Sequence, residues 1–124
     1  MPEGDTIARA AAALHTALAG QTVTGFRAEL AAVAAANDGH PVRGRIILAA
    51  TAHGKHLVLA FSDGLLLRTH MRMHGSWHLY RPGERWQRSP QRMRLAIDTA
   101  PWLAVAFDVY DAELARDHGT TVAR

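Results

Sequence analysis

Residues 55–71 read KHLVLAFSDGLLLRTHM. Two short runs of Leu, Val and Phe flank Ser62-Asp63-Gly64, a cluster suited to a tight turn. Runs of this length, rich in apolar residues and bounded by a turn signal, predict a β-hairpin rather than a helix. The same grammar extends in both directions. IILAATA (46–52) precedes the hairpin as a strand, and SWHLY (76–80) follows it after the connector RMHG. Arg81-Pro82-Gly83 turns the chain, and RMRLAID (92–98) and WLAVAFD (102–108) form a second hairpin across Thr99-Ala100-Pro101. Residues 22–29 alternate as a further strand.

Ahead of the strands the period changes. Ile7, Ala11, Leu14 and Leu18 recur at helical spacing, with alanine between them, and predict an amphipathic helix from about residue 4 to Gly20. Asp5 or Thr6 can cap its start and Gly20 can end it. Residues 30–41 (LAAVAAANDGHP) read as a short helix running into a loop. The last stretch, DAELARDHGTTVAR, reads as a polar tail with a partial helix that frays. The expected class is α+β, mainly β. It is a β-sandwich of about six to eight antiparallel strands, flanked by the N-terminal helix and a shorter second helix. Residues 1–108 are expected to form the domain, and residues 109–124 the tail or the start of an interdomain linker.

The chain has 124 residues, 48% hydrophobic and 20% charged, which fits one soluble domain with a core. It has no cysteine, so disulfides and cysteine zinc sites are excluded within it. It shows no long apolar run and no signal peptide, so a cytoplasmic, non-membrane location is the default. The net charge of +3 hides an asymmetry: residues 40–97 carry ten Lys or Arg against Asp63 and Glu84, while the remainder has four Arg against nine acids. Six of the eight histidines also lie in the basic segment. A polarised basic half points to a polyanion such as nucleic acid. The alternative, arginines that simply solvate a sheet, is not separated from it by charge alone.

Three stretches carry chemistry. The chain opens MPEGDT. A small second residue permits removal of Met1, which leaves Pro2 as a secondary amine at a helix start. Free α-amines titrate at about 7.7–8.0, and a helix N-terminus lowers that value. A secondary amine that attacks an aldehyde carbon forms an iminium, an electron sink for elimination, and Glu3 beside it can move protons. Taken by itself, the hexapeptide is better read as an ordinary second residue followed by a helix-start acid, since many proteins begin Met-Pro. In AHGKHL (52–57), Lys55 is the only lysine of fourteen basic side chains. An ammonium next to Gly54 suits a phosphate contact, although a surface lysine on an edge strand is the commoner case for an isolated Gly-Lys. In THMRMHGSW (69–77), Arg72, Met73 and His74 combine a cation, an apolar wedge and a ring that can stack. Those are the parts needed to fill the hole left by an extruded base. Met71 is expected in the core, and Met73 is open between core and tip. His70, His74 and His78 lie four apart, but on a strand–turn–strand that spacing does not converge, and no metal site is expected.

Taken in order, MPEG, the AHGKHL lysine and the HMRMHG loop resemble the N-terminal domain of the formamidopyrimidine-DNA glycosylase/endonuclease VIII family, through about Phe107. The resemblance implies a bifunctional enzyme of base excision repair, which removes oxidised bases from damaged double-stranded DNA and cleaves the strand by β,δ-elimination. It implies that Pro2 is the nucleophile and Glu3 the proton donor. Lys55 and His70 would contact phosphates, Lys55 within the catalytic group, and Arg72, Met73 and His74 would fill the void. MPEGD and GSWHLYRPGERW are similar to the endonuclease VIII branch, which favours oxidised pyrimidines. The formamidopyrimidine branch typically carries Arg-Arg-Phe where this chain reads FDVYDAEL.

Two departures stand out. Many members carry a second glutamate at the position of Thr6, and the family continues into a helix-two-turn-helix domain and usually a zinc finger. Both domains are expected to be absent here, with no cofactor in this chain. The expected state is a bacterial, nucleoid-associated monomer. The alternatives are a non-catalytic DNA-binding module or remnant of such an enzyme, and a tautomerase that uses an N-terminal proline as base. The second fits poorly, because in such proteins the proline begins a strand.

Overall fold

The computed structural model describes residues 4–117. Helix α1 (Gly4–Leu18) is followed by strand β1 (Gly25–Ala28), helix α2 (Ala31–Gly39), and strands β2 (Ile47–His53), β3 (His56–Phe61), β4 (Leu65–His70), β5 (Ser76–Tyr80), β6 (Met93–Asp98), β7 (Leu103–Phe107) and β8 (Asp111–Arg116). Two four-stranded sheets result, ordered β1-β6-β7-β5 and β2-β3-β4-β8, with every neighbouring pair antiparallel.

The helical period does what its spacing dictates. Ile7, Ala11, Leu14 and Leu18 are all buried and join Val23, Leu57, Leu59, Leu67 and Trp77 in one core. Burying an Ile or Leu side chain of this kind stabilises by about 1.5–3 kcal/mol relative to exposure. Helix α1 lies chiefly across β2, and the imidazole Nδ1 of His15 accepts a hydrogen bond from the Ala50 amide at 3.2 Å. That bond satisfies a donor on the edge strand and fixes the helix on the sheet. Gly20, in the left-handed region at φ 87°, turns the chain, and its amide donates to the Ile47 carbonyl at 2.7 Å.

The hairpin 55–71 forms as β3 and β4, paired from His56↔His70 to Phe61↔Leu65. Asp63 (φ 65°) and Gly64 (φ 74°) supply the positive torsions of its turn. The buried Thr69 hydroxyl donates to the Leu57 carbonyl at 2.8 Å and accepts from Trp77 Nε1 at 3.2 Å. This polar link within the core ties β5 to β4. The second hairpin, β6–β7, also forms. Its outer face has a smaller core of Tyr80, Met93, Ala96, Val105 and Phe107, which is covered by Trp86 from the 81–92 connection. Trp86 stacks on Tyr80 and meets Phe107 edge-on.

The sequence expectation needs one correction. Residues 111–116 are neither a polar tail nor a partial helix. They form β8, which pairs with β4 from His70↔Asp111 to Leu65↔Arg116, so the sheet continues past residue 108. An edge strand needs only one apolar face. Leu114 is buried and Ala112 packs against the core, while Asp111 and Glu113 alternate to the other face and Arg116 is exposed at the strand end. The strand expected over 22–29 narrows to Gly25–Ala28, preceded by an isolated bridge between Thr22 and Ile46. Among the described residues no helix is long and apolar enough to cross a membrane.

Candidate functional site

The β2–β3 connection consists of Gly54 and Lys55 alone, between the paired residues His53 and His56. Gly54 has φ 62°, the torsion a two-residue hairpin requires, and Lys55 projects into solvent at its tip. The Met71 amide donates to the Lys55 carbonyl at 3.0 Å. The end of β4 is thereby fastened to the lysine turn, and the loop that follows starts beside Lys55.

That loop closes on itself. The Gly75 amide donates to the Met71 carbonyl at 2.9 Å, and a Cβ at Gly75 would lie 2.7 Å from that oxygen. Only glycine fits so tight a return. Met71 points into the core as expected, whereas Met73 is 52% exposed. Arg72 has a positive φ of 51°, an uncommon torsion for a non-glycine residue. A cleft of about 350 Å³ opens next to the loop. Thr6 and Ile7 of the first turn of α1 form one wall and Met73 and His74 another, with His78 and Arg88 also lining it. The three tip residues therefore separate: Met73 and His74 face the cleft, while Arg72 turns to β8, where its Nη2 donates to Asp111 at 3.1 Å.

His70 does not stand alone. Its ring stacks on His56, with centroids 4.3 Å apart, and its Nδ1 lies 3.3 Å from Asp111 Oδ2. Arg68 bridges His56 (3.2 Å), Asp111 (3.8 Å) and Glu113 (3.6 Å). Hydrogen bonds from His70 and Arg72, aided by the charges of Arg68 and Arg72, hold the Asp111 carboxyl below the usual carboxylate range. Burial, then the neighbouring His70 and Arg68, push the His56 imidazole below its ordinary value. At the far side of the loop Arg92 makes a two-pronged ion pair with Asp108, with Nε 2.9 Å from Oδ2. The Arg92 hydrogen bond lowers the Asp108 carboxyl in turn.

Lys55, His56, His70, Arg72, Met73, His74, Arg88 and the Asp108–Asp111 connection thus cluster at one end of the sandwich. The basic half of the sequence is not uniform, however. Arg45 holds the Pro41 and Ser62 carbonyls, and Arg81 lies 3.8 Å over the Trp102 ring, so these two cations are structural. Pro2 and Glu3 lie outside the described residues, and directly precede Gly4 in sequence. The three histidines spaced by four go to different partners. His70 goes to Asp111, His74 to the cleft, and His78 to Ser76 Oγ at 3.0 Å. The chain has no cysteine, and among the described residues no three His, Asp or Glu side chains gather as metal ligands. The residues present do not fit a zinc finger.

His78 supplies a pH test. Burial, followed by the charge of Arg88, lowers its imidazole below the ordinary value near 6.5. Between the folded value and 6.5 the unfolded chain binds more protons, so stability there rises with pH. It is complete above 6.5, declines as the pH falls through that value, and stops declining below the folded one. The urea midpoint should therefore drop from about pH 7.5 to about pH 5.5, and His78→Gln should reduce the drop. An equal drop in the variant would leave the effect to His56 and other groups.

A family model described as the formamidopyrimidine-DNA glycosylase N-terminal domain matches residues 1–109. The probable endonuclease 8 2 of Streptomyces coelicolor is 39% identical over 108 residues, covering 86% of this chain and 38% of that protein. The DNA-(apurinic or apyrimidinic site) lyase Nei2 of Mycolicibacterium smegmatis is 30% identical over 120 residues, covering 97% of this chain and 44% of its own. The chain thus spans about two-fifths of the length of these curated relatives. In fold it is similar to the Lactococcus lactis formamidopyrimidine DNA glycosylase non-covalently bound to DNA containing an AP site, with a TM-score of 0.75 and 21% identity over 96% of this chain and 45% of that one.

Proposed function

The chain belongs to the formamidopyrimidine-DNA glycosylase/endonuclease VIII family, and on that premise we propose that it is the N-terminal, amine-bearing part of a base-excision-repair glycosylase and AP lyase. Its substrate is damaged duplex DNA, with oxidised pyrimidines preferred. One observation supports this above the others. The first turn of α1, the exposed Met73 and His74, and a turn carrying the chain's only lysine come together at one end of the fold.

In this reading the cationic end meets the phosphates, and Met73 enters the stack where a base has left it. The neutral Pro2 nitrogen attacks the sugar C1′. The N–C1′ bond forms, the glycosidic bond breaks, and the base leaves with the bonding electrons and takes up the proton that the amine gives up. Glu3 delivers a proton to the ring oxygen as the sugar opens, which leaves an iminium. Loss of a C2′ proton then expels the 3′ phosphate, and a second elimination expels the 5′ phosphate. Water finally releases the sugar fragment from the amine. The Lys55 ammonium holds the phosphate next to the reacting carbon and disfavours protonation of Pro2.

Lyase action on an existing abasic site asks least of this chain, since no base need be flipped. The test is incubation with a duplex carrying one abasic site at low salt, with borohydride present. A covalent protein–DNA adduct is expected. Binding without any adduct would favour the non-catalytic module.

A further inference from the structure

Asp111 is at the centre of a cationic group that the reaction above does not explain. It stands opposite His70 in the β4–β8 register, and His70 stands opposite His56 in the β3–β4 register, so the three side chains form one row across the sheet. Its Oδ2 binds both His70 Nδ1 (3.3 Å) and Arg72 Nη2 (3.1 Å), while Oδ1 lies 3.8 Å from Arg68. One carboxylate thus engages three side chains that a phosphate backbone would otherwise use. Its lowered titration keeps it ionised at neutral pH.

We propose that Asp111 is an internal counter-anion that masks Arg72 and His70 from the phosphates of intact duplex, so that these cations engage DNA only at a damaged site. This rests on the functional reading given above. Engagement of Arg72 with DNA means giving up charge-assisted bonds to Asp111 and leaving that carboxylate beside a polyanion. On intact DNA nothing offsets this, because the stack is closed to Met73. At an abasic position the void accepts Met73, and its burial offsets the loss. Arg72 is the member of the group best placed to switch. Its side chain is 61% exposed, and it sits on the closed loop that carries Met73.

The test compares wild type, Asp111→Asn and Asp111→Glu by fluorescence anisotropy, with an intact duplex and with one containing a tetrahydrofuran abasic analogue. Asp111→Asn keeps the size and an acceptor for Arg72 but loses the charge. It should bind intact duplex about tenfold more tightly, with a salt slope steeper by about 1 between roughly 50 and 200 mM. Abasic binding should gain at least as much, because the wild type gives up the Asp111 bonds there to engage Arg72, and Asp111→Glu should restore the wild-type affinities. Unchanged or weaker binding to intact duplex would overturn the inference, as would an abasic gain smaller than the intact one. If Asp111→Asn does not fold, Arg72→Gln decides, since removal of a masked arginine should leave the affinity for intact duplex unchanged. A loss on intact duplex would contradict the mask. Failure of the wild type to bind either duplex at low salt would sink the functional reading as well. Intact-duplex binding that ignores Asp111 would sink this inference alone.

Discussion

One extra residue ahead of Pro2 should abolish the borohydride-trapped adduct with abasic DNA, by about 10³-fold or more, the scale expected when a covalent nucleophile is removed. An extension, or retained Met1, turns the Pro2 nitrogen into a tertiary amide whose lone pair is delocalised into the carbonyl. No iminium can form from it. Duplex binding should persist, because the cations at that end of the sandwich lie on the β2–β3 turn and the loop after β4, not on the terminus. Binding and trapping would then separate cleanly. Pro2→Gly should behave differently. It retains a free α-amine, so trapping should be reduced rather than lost. An adduct of undiminished yield in the extended protein would move suspicion to Lys55.

Lys55→Ala should lower the single-turnover trapping rate by about 10–100-fold and reduce the salt slope of duplex binding by about 1. Lys55 occupies the tip of a two-residue turn that is hydrogen-bonded to the start of the Met73 loop, so its ammonium travels with the wedge. Lys55→Arg separates two roles. It restores charge and hence affinity, but replaces a compact ammonium with a broad planar fork. If position beside the reacting carbon matters, affinity should recover while the rate does not. Equal recovery of both would reduce Lys55 to a general phosphate contact. The fold should tolerate either change, because the side chain is exposed and no core contact is lost.

Much of the architecture was legible because it rests on periodicity. Ile7, Ala11, Leu14 and Leu18 announce a helix with one buried face, and that face is buried. The Ser62-Asp63-Gly64 turn was readable from its glycine and aspartate, and both adopt the positive φ such a turn uses. β8 was not readable, because Asp111, Glu113 and Arg116 give it a polar composition, with only Leu114 deeply buried. A strand that presents one thin apolar edge has the composition of a tail.

The site divides in the same way. Lys55, His70, Met73 and His74 lie in short motifs within or beside the hairpin, and the structure gathers them at one end. Asp111 and Arg88 were missed. Asp111 meets Arg72 across 39 positions and His70 across 41, a convergence that strand pairing creates and no local motif carries. Arg88 reaches the cleft because the 81–92 connection folds back on Trp86. The one available signal was the unexplained tryptophan in an otherwise polar connector. The charge count itself misled in part, since it gave Arg45 and Arg81 the same weight as Arg72.

Peptide mapping of the reduced adduct tests the central claim most directly. The mature chain is trapped on an abasic duplex, reduced, trimmed with nuclease and cut with trypsin, and the modified peptide is identified by mass. A sugar-derived mass on the peptide from Pro2 to Arg9, assigned to its first nitrogen, is the expected result. The same mass on Lys55, or no modified peptide from protein that binds the duplex, would contradict it.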